Sequence, residues 1–312
     1  MNIDLIPELG KNSPICNAAL EDKLIIFYGA GISHLWGCER WQSLCLRVVD
    51  AFHEKELISY KDAAALKESF VGQPRKLLTI LKQKDNNEYV IQMKRFLKYE
   101  EPRKAKCPDL FKRLRDIGST FITTNIDKCF LDEFPEADVL YGRKINGSSI
   151  KKDKLIMLHG HEDYPDSWIM TIDEYINHYD ASKSPNIKDF LCSLFNSDDK
   201  KVVVFIGYGL GELEILDYLH FKIGITEQQR LVERLFLLRP YFLNDNSFAD
   251  LEQIYFRSFG NSVQIIPYGI NESGFRQIYH VLCSWAEFMR NLKSEAPDGV
   301  FLKNLKLLED NL

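Results

Sequence analysis

No Cys-x-x-Cys pair occurs in the 312 residues, and the seven cysteines (Cys16, Cys38, Cys45, Cys107, Cys129, Cys192, Cys283) are scattered and odd in number. This excludes a thiolate zinc ribbon and predicts a reduced, cytoplasmic protein with no metal. No apolar run approaches about 18 residues, so no membrane span is expected. Met1 to Lys11 carry Asp4 and Glu8 without a continuous apolar stretch, which excludes a secretory signal. An excess of positive charge is missing too: the net charge of −5 gives no general attraction for nucleic acid or anionic lipid. There is no internal repeat or low-complexity tract. What remains is an ordinary globular composition, 45% hydrophobic and 12% aromatic, long enough for one large domain spanning 1–312.

The stretch that organises the chain is Leu24-Ile25-Ile26-Phe27-Tyr28-Gly29-Ala30-Gly31-Ile32-Ser33. An apolar run that empties into Gly-x-Gly predicts a strand whose end lets a backbone approach a ligand, with free N–H groups aimed at a phosphate. A dinucleotide fingerprint would need a third glycine and an acidic residue about 20 positions on at the end of a second strand; here Ser33 and His34 follow and the downstream sequence is helical, which argues against a nicotinamide-dependent dehydrogenase. Taken alone, the glycines fit a tight turn equally well.

Three further runs repeat the design. Ser119-Thr120-Phe121-Ile122-Thr123 leads into Thr124, Asn125 and Asp127; Leu155-Ile156-Met157-Leu158 ends in His159-Gly160; Val202-Val203-Val204-Phe205-Ile206 ends in Gly207-Tyr208-Gly209. Leu235 to Leu238 and Val263 to Ile266 are two more strands, each ending beside a proline. Near-continuous apolar strands separated by helical stretches predict an α/β, Rossmann-like, mainly parallel sheet with helices on both faces, and polar residues at strand tips face the ligand crevice of such folds. Each tip residue also has a plain structural reading: a satisfied histidine, a turn-forming asparagine, an aspartate capping the next helix.

Trp41, Leu44, Cys45, Val48, Val49 and Phe52 recur at helical spacing and predict an amphipathic helix packed on the sheet. Residues 61–106 stay helical and hold twelve Lys or Arg against six Asp or Glu, a basic helical insertion whose charges are either a solvated face or a surface for an acidic partner. A C-terminal helical segment covers 272–312. Within it Phe301, Leu305, Leu308 and Leu312 form a short stripe that must pack on its own domain, a second copy or a partner, and association is the expected outcome.

In this order and spacing the four tips resemble the sirtuin superfamily, whose members carry Gly-Ala-Gly-x-Ser, Thr-x-Asn-x-Asp, His-Gly and a later Gly-Thr/Tyr-Ser/Gly turn. The resemblance covers about Leu24 to Tyr268. It is nearest to the SIR2-like domains of bacterial anti-phage defence proteins, with Thr-Thr-Asn-x-Asp, Leu-His-Gly, Phe-Ile-Gly-Tyr-x-Leu and a tryptophan, here Trp41, soon after the first glycines. The chain departs from the deacylases in lacking the zinc ribbon and in carrying His34-Leu35 where they have Pro-Asp-Phe-Arg. Glu212, beside Gly211, replaces the aspartate usual after Gly-Tyr-x-Leu.

The resemblance implies NAD+ as substrate, with the pyrophosphate over Gly29, Ala30, Gly31 and Ser33, Thr124 nearby, and the adenine ribose near Gly207, Tyr208 and Gly209. Asn125 would orient the ribose or an attacking water. His159, with a reference pKa near 6.5, would accept a proton, and Asp127 would either stabilise positive charge on the ribose or brace the loop. The implied activity is an NAD+ glycohydrolase that depletes the cofactor during phage infection; the alternative is a catalytically silent sensor of NAD+, ADP-ribose or another nucleotide. A latent oligomer is also implied, triggered by a HerA-type ATPase, an Argonaute-like protein, a nucleotide-processing partner or a phage protein.

Overall fold

Leu24–Tyr28 is β1, and all five of its residues are buried. Such a strand has helices on both faces, and its neighbours confirm the arrangement. The computed structural model describes residues 2–99, 101–142, 145–180, 187–196, 201–209, 234–257 and 263–295. Its strands β1, β2 (Thr120–Thr123), β3 (Asp138–Tyr141), β4 (Lys154–Met157), β5 (Val202–Ile206), β6 (Leu235–Phe242) and β7 (Val263–Ile270) form one seven-stranded sheet in the order β3-β4-β2-β1-β5-β6-β7. Every pairing is parallel. The α/β, Rossmann-like expectation therefore holds. Because the chain leaves β1 toward β2 and later returns to its other side with β5, the sheet has a switch point beside β1, where the carboxyl ends of adjacent strands open a crevice.

Alternation along β1 sorts the core into two layers. Leu24, Ile26 and Tyr28 pack toward α1 (Pro14–Leu20), α8 (Leu110–Ile117) and the long C-terminal helix Gln277–Glu295, while Ile25 and Phe27 pack toward the helices Ile172–His178, Ile187–Asn196 and Asn246–Arg257. Between α1 and α8 run α2 (Ala30–Trp36), α3 (Trp41–Glu54), α4 (Tyr60–Ser69), α5 (Pro74–Lys84), α6 (Asn86–Phe96) and α7 (Glu101–Lys104); after α8 come α9 (Cys129–Glu133), α10 (Ile172–His178), α11 (Ile187–Asn196), α12 (Asn246–Arg257) and α13 (Gln277–Glu295).

Three local expectations change. The stripe on α3 does not pack on the sheet: Leu44, Cys45, Val48, Val49 and Phe52 meet Leu77, Leu78, Leu81, Met93 and Phe96 in a third core. The stripes of α5 and α6 are the better complement, and this core reaches the strand tips through Ile126, Trp168 and Met170. The prolines do not end β6 and β7, which run on through Pro240 and Pro267. Beyond Leu238, β6 has lost its β5 neighbour, so a residue without an N–H costs no ladder bond on that side. The edge strand β3 was not foreseen, since Asp-Val-Leu-Tyr is short and incompletely buried. The stripe from Phe301 to Leu312 and Glu212 lie outside the described residues.

Candidate functional site

The two glycine loops at the switch point lock into each other. Gly29 N–H donates to the Ile206 carbonyl and Gly31 N–H to the Gly207 carbonyl, each at 3.0 Å, and Ile32 N–H turns back to Gly29. A Cβ on Gly29 would lie 2.7 Å from the Gly207 oxygen, one on Gly31 2.9 Å from the same atom, and one on Gly207 2.9 Å from the Ile32 nitrogen. These glycines are thus required by loop-to-loop contact, and the expected free N–H groups at 29, 31 and 32 are already used. Gly31→Val is expected to force the loops apart and lower the unfolding midpoint, with any loss of nucleotide binding following from that; thermal melting beside a binding titration checks it.

A cavity of about 330 Å³ opens beside the interlock, at the carboxyl ends of β1, β5, β6 and β7. Ala30, Gly31, Gly207, Tyr208 and Gly209 line it together with residues that the sequence did not single out, among them Arg40, Leu238, Tyr268 and Phe275. Among the described residues nothing lies within 4 Å of where a Cβ on Gly209 would stand. The Tyr208 ring turns into the core, 4.9 Å from the Phe27 ring. Arg239 is taken by a bidentate pair with Glu252 (2.7 and 3.1 Å), whereas Arg40 stands over the Phe275 ring with no carboxylate partner among the described residues.

The tip of β2 joins α2 through hydrogen bonds. Asn125 Nδ2 donates to Ser33 Oγ at 2.7 Å, and Ser33 also helps to favour the charged form of the nearby Asp127 carboxylate. Thr123 Oγ1 accepts the Asn125 N–H at 3.0 Å, so Thr123 rather than the half-buried Thr124 shapes this tip. Asp127 is 9% exposed and also accepts from the Cys129 N–H at 3.2 Å. Burial raises its pKa above the usual carboxylate value.

His159 stands apart from that network. It is 5% exposed, with Nε2 3.3 Å from the Tyr179 hydroxyl and its ring against Tyr175 and His178. No hydrogen bond joins it to Asn125 or Asp127. Burial first, then His178 and the Arg75 guanidinium, hold its pKa well below 6.5, so its imidazole is neutral at physiological pH. Gly160 adopts φ +102° and a Cβ there would strike the Ser167 carbonyl at 2.2 Å, which accounts for the glycine after the histidine. His161 turns to Tyr141 and Tyr164. A larger cavity of about 1350 Å³ lies beyond β3 and β4, lined in part by Tyr164, Trp168 and His178. Asn125, Asp127 and His159 line neither cavity.

The fold also assembles what the cysteine spacing hides. Cys38 and Cys129 have sulfurs 3.1 Å apart, and Asp127 joins them in a buried group. The expectation that no ligand set exists held only along the sequence.

A model of the SIR2-like domain family matches residues 119–267. No curated protein matches the chain. Residues 119–267 hold three of the four motif tips, those of β2, β4 and β5; the first glycine loop lies before them and is tied to the third tip by the bonds given above.

Proposed function

Because the chain carries a SIR2-like domain of the sirtuin superfamily, whose members handle NAD+, we propose that it is an NAD+ glycohydrolase that releases nicotinamide and ADP-ribose, acting in anti-phage defence. The observation that carries this reading is the Asn125–Ser33 hydrogen bond, which ties the tip of β2 to the segment that follows the first glycines at the switch point.

In this account the adenosine half occupies the cavity beside Gly207 to Gly209, whose volume of about 330 Å³ falls within the usual range of about 300–1,000 Å³ for ligand sites. Gly29, Ala30, Gly31 and Ser33 face the pyrophosphate, and Arg40 supplies the positive charge. The exposed Ala30 and Gly31, and Arg40 with no carboxylate partner among the described residues, support that placement. Asn125 has its amide nitrogen anchored on Ser33, which leaves its side-chain oxygen to orient a ribose hydroxyl or a water. Asp127 acts through Ser33 as a positioning residue. His159 offers a neutral imidazole as proton acceptor, a weaker base than an exposed histidine because of its depressed pKa.

Arg40→Ala is expected to weaken NAD+ binding about tenfold, the worth of one charge-assisted contact, and to leave folding unchanged because the side chain is exposed. Titration with NAD+ followed by tryptophan fluorescence, with Trp41 at the cavity wall, measures it. Unchanged affinity would move the nucleotide out of this cavity.

A further inference from the structure

We propose that Cys38, Asp127 and Cys129 form a binding site for a thiophilic d10 cation, with Zn2+ as the natural candidate. The loop after α2 and the start of α9 bring the two thiols and the carboxylate together, and the three donor atoms lie within 4.8 Å of one another. All three residues are nearly closed to solvent, at 7%, 9% and 1% exposure. Bonds of about 2.3 Å from zinc to sulfur in a tetrahedral shell put two sulfurs about 3.8 Å apart. The pair at 3.1 Å needs to open by only several tenths of an ångström.

The second observation is the carboxylate. A buried carboxylate is stabilised in its charged form by a counter-charge or a metal; Asp127 accepts the Cys129 N–H, and among the described residues no Lys, Arg or His lies at ion-pair distance from it. Its neighbour Lys128 turns away to Asp163 at 3.1 Å. Two thiolates and a carboxylate are a soft, anionic donor set, which selects zinc or cadmium over magnesium or calcium. Three protein ligands leave a fourth position for water. Binding would release the two thiol protons to solvent and clamp the loop after α2 to α9 directly beneath Ser33 and Asn125. The inference does not depend on the NAD+ reading, because it concerns the protein without nucleotide.

The test is titration of the reduced full chain with Cd2+ alone, followed by the ultraviolet charge-transfer absorption of the cadmium–thiolate bond. One equivalent should bind, be displaced by Zn2+ only in excess, and protect Cys38 and Cys129 from alkylation. The signal should be lost in Cys38→Ser and in Cys129→Ser, and Asp127→Asn should weaken binding by at least the roughly tenfold that loss of an outer-shell partner costs. No thiolate signal in the wild-type protein would overturn the proposal. So would a signal that survives both serine variants, or wild-type protein in which Cys38 and Cys129 are joined as a disulfide. If a serine variant fails to fold, the wild-type alkylation pattern and Asp127→Asn decide the question.

Discussion

Asn125→Ala is expected to cut nicotinamide release by two to three orders of magnitude, the usual cost of removing one oriented polar group from a reaction centre, while the thermal midpoint barely moves. Asn125 is half-buried, and its side chain makes a single hydrogen bond, to Ser33. The loss should fall on turnover, with NAD+ affinity retained, because the cavity lining is untouched. His159 requires a different substitution. An alanine there would empty space among Tyr175, Tyr179 and His178 and destabilise the protein through a cavity. His159→Gln fills most of that volume, and its expected result is lost turnover in a folded protein. Wild-type rates in either variant, measured by nicotinamide release, would remove these residues from the reaction.

The second large effect is acid destabilisation. Burial lowers the pKa of His159 well below 6.5 and, as the leading cause, that of His178 to about 4; His161 is lowered for the same reason. Below about pH 6.5 the unfolded chain therefore binds more protons than the folded one, and stability falls with decreasing pH until the folded-state values are passed. An imidazole costs about 1.4 kcal/mol per pH unit while the pH lies between its unfolded and folded values, so His178 alone removes roughly 2 kcal/mol between pH 7 and pH 5, and His159 adds to the loss in the same direction. Asp127 acts in the opposite sense. Its raised pKa means the folded state takes up a proton before the unfolded one, which offsets part of the loss at the acid end. Urea unfolding across this range checks the slope, and His159→Gln and His178→Gln should each flatten it. A pH-independent stability would mean that these imidazoles are solvated.

The strand set was legible because buried parallel strands are written as unbroken apolar runs, and β1, β4 and β5 are such runs. β3 was not, since an edge strand needs no such run and Asp138-Val139-Leu140-Tyr141 has little. The helix from Trp41 was visible as a helix, but its partner was not. An amphipathic stripe says that something covers it, and α5 and α6 complement it better than the sheet does. The same limit applies to the site. Residue types at the four tips were readable from sequence, whereas the pairing of Asn125 with Ser33, the seclusion of His159 and the meeting of Cys38 with Cys129 depend on chain segments far apart in sequence. Arg40 gave no signal because a single exposed arginine after a helix has no pattern.

The most direct test of the central claim is to incubate the purified protein with NAD+, alone and with lysate from phage-infected cells, and to separate the products by chromatography. The account predicts many nicotinamide molecules per chain with an equal yield of ADP-ribose, and none from Asn125→Ala. Saturable NAD+ binding with no nicotinamide released under either condition would contradict it and leave the chain as a nucleotide sensor.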